Sequence, residues 1–195
     1  MNYNAIIADF ISQIRLSSFE NIETYKRNLQ LSKHSYVPLA VLEVSLRNKV
    51  NDLFITMYDN QWLLGELASL RHKEKEKIRF AKEALVRKQE RITQDKLVAE
   101  LNFGFWTALF QSAYSHQMRI GNLKKVFPSL PARSEAFINR GVISRKLNHI
   151  RKFRNRVFHY ENIVKDDYSN ITQNIAELIG YLDPALLAFV EEINL

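Results

Sequence analysis

The sequence predicts an all-α fold, one helical bundle. Three observations predict it. The 195 residues include only five glycines and four prolines, too few turn formers for a sandwich or barrel of many short strands. Apolar side chains recur at helical spacing through most of the chain. Apolar residues make up 46% and charged residues 25%, which suits one soluble domain with a sizeable core, whereas two domains would be cramped. Residues 1–195 are therefore read as a single domain.

The elements follow in order. Ile6, Ile7, Phe10, Ile11 and Ile14 predict a short amphipathic helix. Ser17-Ser18 supplies a cap for a second helix to about Leu29, with Glu20 in its first turn. Ser35 is expected to cap the next, long helix, with Pro38 near its first turn, where proline is tolerated. Leu39, Leu42, Val44, Leu46, Val50, Leu53, Phe54 and Met57 give that helix a broad apolar face and more. After a turn at Asp59-Asn60, Trp62 to Leu70 begin another helix that continues into a polar run from Arg71 to Lys96. Thr93 caps a helix to Leu101, Asn102-Phe103-Gly104 breaks it, and Phe105 to Tyr114 form a short aromatic helix. A loop bracketed by Pro128 and Pro131 precedes a helix from Arg133 to Tyr160, with Gly141 as a point of interruption. Two final helices run from about Asn170 to Leu182 and from Pro184 to Ile193.

Composition also excludes some functions. Without cysteine there is no disulfide, iron–sulfur cluster or thiolate metal site. No pair of the scattered histidines His34, His72, His116 and His149 has metal-site spacing, so no metal and no cofactor is expected. Met1 to Phe10 lacks the basic start and apolar run of a signal peptide, and no stretch reaches the roughly 20 apolar residues of a membrane span. A cytoplasmic protein is expected. The net charge of +7 favours polyanionic partners, and its distribution says more. From Arg140 to Lys165 there are eight Lys/Arg against one acid, Glu161; from Asp166 to Leu195 there are six acids and no Lys or Arg. The Arg71–Lys96 run, with ten Lys/Arg and five acids, reads either as a basic arm for RNA or as a solvated helix laced with i,i+4 ion pairs such as Glu83 with Arg87.

Within the basic stretch lies Arg154-Asn155-Arg156-Val157-Phe158-His159. Arginine is a permanent planar cation that forks onto phosphate oxygens, and histidine gives or takes a proton near neutral pH. These two groups suffice to cleave RNA without a metal. Residues five apart on an ideal helix are rotated by about 140°, so Arg154 and His159 need a distorted helix end or a site shared between subunits to converge. Arg156 and His159, three apart, share a face without distortion. The plainer alternative is that both side chains cap the carbonyl end of a helix.

Arg154-Asn155 with His159 four residues on resembles the signature of the HEPN superfamily, an Arg, a polar residue, a short spacer and a His. Two further strings narrow the likeness to its Abi-like (abortive infection) branch. Leu42-Glu43-Val44-Ser45-Leu46-Arg47-Asn48 is similar to the "LE-x-x-LRN" string of that family's early helix, and Leu101 to Phe110 resembles its "FGFW…LF" block. Arg151 to Glu161 matches "RxxRNRxxHxE". The motif-bearing core covers about 35–165, leaving 166–195 as an acidic helical tail.

The resemblance implies an up-and-down helical bundle of HEPN type with additional helices, a homodimer whose subunits line one cleft, and metal-independent endoribonuclease activity in phage defence or a toxin system. It also implies an antitoxin or regulatory RNA or protein that restrains the activity. Carried over position by position, Arg154 and His159 are the catalytic pair, with Asn155, Arg156, Glu43, Arg47 and Asn48 as active-site support. Arg151, Lys152, Arg145 and Lys146 are expected to bind RNA. On spacing alone Glu43 and Arg47, i,i+4 on one helix, read first as an internal ion pair and only second as groups reaching the cleft. Phe103, Phe105, Trp106, Phe110 and Tyr114 read as core rather than as a base-stacking platform. Two other functions fit the same sequence: a non-catalytic RNA- or protein-binding module, and a dimerisation scaffold.

Overall fold

The computed structural model describes residues 7, 10–65, 67, 69–165 and 168–193, and among them it is all helical. Ile6 of the expected opening helix lies outside the described residues, as do Asp166 and Asp167 at the start of the acidic tail. Nine α-helices are described: α1 (Gln13–Leu16), α2 (Ile22–Met57), α3 (His72–Arg87), α4 (Gln94–Glu100), α5 (Phe103–Ala108), α6 (Ile120–Val126), α7 (Arg140–Phe158), α8 (Ile171–Leu182) and α9 (Pro184–Ile193). A 3-10 turn, Ser112–Tyr114, stands between α5 and α6. Among the described residues no helix is long and apolar enough to cross a membrane.

α2 is the spine. Its buried residues Leu39, Leu42, Leu46, Val50 and Leu53 step by three or four, a stripe that faces inward along several turns. On this helix pack α4, α5, α6, α8 and α9. The helix is unbroken where two were expected. Asn21, not Ser17 or Ser18, caps it, its Oδ1 accepting from the Thr24 amide at 2.9 Å. Ser35 caps nothing; its hydroxyl donates to the Leu31 carbonyl at 2.7 Å, as Ser32 does to Asn28 at 2.9 Å. Pro38 therefore lies inside the helix. An interior proline costs about 3 kcal/mol, and burying each leucine of the stripe contributes about 1.5–3 kcal/mol. Three of them, Leu39, Leu42 and Leu46, immediately follow the proline, so packing wins over local preference.

Other boundaries moved for local reasons. Trp62 and Leu63 are buried but belong to turns rather than to a helix. Trp62 Nε1 donates to Asn51 Oδ1 at 2.9 Å, and the Leu63 amide donates to Gln94 Oε1 at 3.1 Å. The polar run does not continue as one helix to Lys96, because Gln89 adopts a left-handed φ of 58° and the Glu90 amide closes back on the Leu85 carbonyl at 2.9 Å, ending α3. Thr93 caps α4 as expected, through the Lys96 amide at 3.3 Å. Asn102 both breaks the chain after α4 and caps α5, through the Phe105 amide at 3.0 Å. α7 begins at Arg140 rather than Arg133, where the Asn139 carboxamide accepts from the Val142 amide at 3.0 Å. Gly141 lies in its first turn and interrupts nothing.

The aromatic block is core. Trp62 packs with Phe54 (4.7 Å between centroids), Phe105 (6.3 Å) and Trp106 (6.1 Å), and Phe103, Phe110 and Tyr114 are buried with them. The acidic tail is core as well: Ile171, Ile175, Leu178, Ile179 and Leu182 of α8 are buried against α2 and α7. By contrast Phe10 and Ile14 are exposed.

One buried side chain ties the end of α7 to the spine. Asn28 of α2 is 2% exposed, donates to the Glu161 carbonyl at 3.3 Å and accepts from the Ile163 amide at 2.7 Å. Asn28→Ala leaves the buried Ile163 amide without an acceptor. The expected loss is about 1–3 kcal/mol of unfolding free energy, read as a lowered urea midpoint at constant slope.

Candidate functional site

Along α7, Ser144, Asn148, Arg151 and Asn155, with His159 just beyond its end, recur at steps of three and four residues. All five border one cleft of about 570 Å³. The opposite wall is the start of α3 (Arg71, Lys73, Glu74 and Lys77), and α5 with Asn102 and Gln111 closes the remaining side. Gly104 of α5 faces Arg151 of α7: a Cβ there would stand 3.6 Å from the Arg151 side chain, an ordinary contact, and 3.2 Å from the Asn102 Oδ1 that caps α5.

Arg154 borders the same cleft from the flank of the helix. Its Nε donates to Glu43 Oε2 of α2 at 3.2 Å, and its guanidinium lies 4.4 Å from the Phe158 ring centroid. One edge of the fork is thus occupied and one face covered, while its terminal nitrogens have no hydrogen-bond partner among the described residues. His159 is exposed and occupies the C-cap, with φ −95° and ψ 8°. Beyond it Tyr160 takes a left-handed φ of 58°, its amide bonding Val157 O at 3.1 Å while that of Glu161 bonds Arg156 O at 2.9 Å. This pair of bonds is a Schellman closure. The helix therefore stops at the residue expected to do proton chemistry, and one chain suffices to bring Arg154, Asn155 and His159 to a common cleft.

The remaining expected residues divide. Glu43 reaches the site only through Arg154, and it pairs with Arg154 rather than with Arg47. Arg47 does not line the cleft, and its Nε is buried without a hydrogen-bond partner. Asn48 is exposed and also lies away from the cleft. Arg156 does not share the cleft with His159: it turns to Glu161 at 3.8 Å and to the Asn162 carbonyl at 3.4 Å. With Lys152, Arg151, Asn155 and Tyr168 it borders a neighbouring hollow. Arg151 is shared by both and donates to Asn148 Oδ1 at 2.9 Å. Arg145 is exposed outside the cleft. Lys146 faces α8, bonding Asn174 and, at 2.7 Å, Glu177; it joins two helices instead of facing solvent.

Sequence reasoning covered the opposite wall only as the start of the Arg71–Lys96 run and singled out none of its residues. Glu74 is a charged residue only 5% exposed. Its Oε2 accepts from the Tyr114 hydroxyl at 2.8 Å, and that hydroxyl accepts from the Arg71 amide at 3.1 Å. Burial first, then the neighbouring Glu74 charge, pushes the Tyr114 hydroxyl well above the usual tyrosine range, although the Arg71 amide works against this; Tyr114 stays neutral. Lys77 stands 3.6 Å from Glu74 and donates to the Gly104 carbonyl at 3.2 Å. The cleft is thus lined by five cations, Arg71, Lys73, Lys77, Arg151 and Arg154, against the carboxylate of Glu74. Such a concentration of one sign between low-dielectric walls attracts polyanions. Among the described residues no three His, Asp or Glu side chains converge to hold a metal ion.

No protein-family model, no curated protein and no solved structure gives a match to this chain.

The Lys146–Glu177 contact yields a pH prediction. Burial works to raise the Glu177 carboxyl, but the hydrogen bond and charge of Lys146, with Gln173 and Tyr181, hold it below its ordinary value. A carboxylate depressed in the folded state contributes stability above its unfolded value and loses it as pH falls through the folded value. Lys146→Met is expected to flatten the acid limb of a stability-versus-pH curve below the ordinary glutamate range, relative to the unaltered protein.

Proposed function

We propose that the chain is a metal-independent endoribonuclease of HEPN type, of the Abi-like family, acting in phage defence or as a toxin, with Arg154 and His159 as its catalytic pair. The observation that carries this reading is the cleft itself: Arg154, Asn155 and His159 border one strongly basic cavity, and Arg154 is oriented there by Glu43 and Phe158. In the proposed reaction the 2′-hydroxyl attacks the adjacent phosphorus and the P–O5′ bond breaks. The products are a 2′,3′-cyclic phosphate and a 5′-hydroxyl. The His159 imidazole takes the 2′-hydroxyl proton or supplies one to the leaving 5′-oxygen. The free terminal nitrogens of Arg154 donate to the non-bridging oxygens, where charge builds. Asn155, between the two, shapes the pocket around the phosphate.

A homodimer, a restraining antitoxin or regulatory factor and a cytoplasmic setting belong to the same proposal. They rest on the likeness of the Glu43–Asn48, Leu101–Phe110 and Arg151–Glu161 blocks to that family. One observation favours a second reading, a module that binds RNA without cleaving it: the His159 ring has no hydrogen-bond partner among the described residues, so none of them orients it as a base.

The experiment is an RNA cleavage assay in EDTA with end-group analysis. Cleavage leaving cyclic phosphate is expected, reduced about 10²–10⁴-fold in His159→Ala and about 10²–10³-fold in Arg154→Ala. A requirement for added metal, or equal cutting by His159→Ala, removes the mechanism.

A further inference from the structure

The charged run after Leu70 resolves into two parts with different surroundings. From Arg79 onward most of its cations are tied: Arg79 to Glu83 at 2.6 Å and Glu76 at 3.3 Å, Lys82 to the Leu64 carbonyl at 2.9 Å, Lys88 to Glu100 and Lys96 to Glu90 at 2.6 Å each. That part is a solvated, ion-paired helix and loop. Arg71, Lys73 and Lys77 instead line the cleft across from Arg151 and Arg154. Lys77 is held by Glu74 and Gly104, whereas the side chains of Arg71 and Lys73 have no partner among the described residues.

The frame beneath them is fixed. Glu74 lies in the first turn of α3, and its buried link through Tyr114 to the Arg71 amide pins the helix start. A carboxylate taken out of water is costly unless its bonds are satisfied. Here they hold the turn that bears the two unpartnered cations. Pre-organised cations lose less freedom on meeting a ligand than mobile ones do.

We propose that the first turn of α3 is a second phosphate-binding wall. In it Arg71 and Lys73 hold a backbone phosphate of an RNA strand whose reacting phosphate lies at Arg154 and His159. The inference rests on the reading of the cleft as an RNA site. It adds the chain's second grip on the strand, made by residues outside every motif of the sequence.

The test measures binding rather than turnover. The probe is a fluorescent 2′-O-methyl oligoribonucleotide, which lacks the attacking hydroxyl, and its affinity for the full chain is followed as salt is raised. Each single-strand phosphate contact contributes about 0.7 to the slope of log affinity against log salt. Replacing both Arg71 and Lys73 by Gln is therefore expected to lower the magnitude of that slope by about 0.7, the share of the one phosphate they hold. The control pair, Arg87→Gln with Arg91→Gln, removes the same charge at exposed positions outside the cleft and is expected to leave the slope unchanged. Arg71 and Lys73 are exposed, so unaltered thermal melting is expected for both variants. An equal fall in both pairs, an unchanged slope in the Arg71/Lys73 pair, or no binding by the unaltered protein at low salt would overturn the wall. Cleavage of unmodified RNA in EDTA is scored separately. An intact wall without cleavage removes the nuclease alone, and cleavage with an unchanged slope removes the wall alone.

Discussion

The rest of the molecule depends on α2 remaining one helix. At 36 residues and a rise of about 1.5 Å each, it spans roughly 54 Å and gives five other helices a common surface. Its continuity is not a local preference. Two serines bond back to the carbonyls one turn before them, and Pro38 withholds a donor, so the segment taken alone would read as a boundary. The buried stripe that follows the proline, from Leu39 to Leu53, outweighs that preference. Breaking the spine there would separate Asn28, which anchors the residues after His159, from Glu43, which orients Arg154.

The cleft follows from that geometry. α7 lies against α5 and α8 with Ile143, Leu147, Ile150, Phe153 and Val157 buried. Its polar stripe from Ser144 to His159 is consequently left facing the gap towards α3. Two carboxylates set the cleft's charged walls from behind. Glu43, partly buried, holds Arg154 by its Nε and leaves the other edge of the fork open. Glu74, almost wholly buried, acts through Tyr114 on the backbone of Arg71. Each takes a cationic wall and fixes its position without neutralising the cleft, where five cations remain against one acid.

Much of this was legible in the sequence, for reasons that can be named. Thr93 is a helix cap because its side chain bonds the amide three residues on, a local event that needs no tertiary context. The placing of Arg154, Asn155 and His159 together is likewise short-range, since it depends on where one helix ends. Lys146 reads from the sequence as one more cation of a basic stretch, but it is bound to Glu177, 31 residues away. Arg156 shares a helical face with His159 by spacing alone, and the closure of the chain after His159 sends it to Glu161 instead. Arg71, Lys73 and Lys77 belong to a run whose composition is that of a solvated helix, and no periodicity distinguishes the three that line the cleft.

The sequence alone determined the all-helical class, the core stripe of α2, the aromatic core and the stretch in which cations, amide and imidazole lie close together. Composition and three- or four-residue spacing are properties of the chain itself. The tertiary structure alone decided that Glu43 meets Arg154 across 111 residues, that Glu74 meets Tyr114 across 40, and that the start of α3 faces α7. Those contacts join side chains remote in sequence, and their formation depends on which helices the buried stripes bring side by side. The motif is thus a local property of the chain, whereas the basic cleft around it exists only once the spine has been packed.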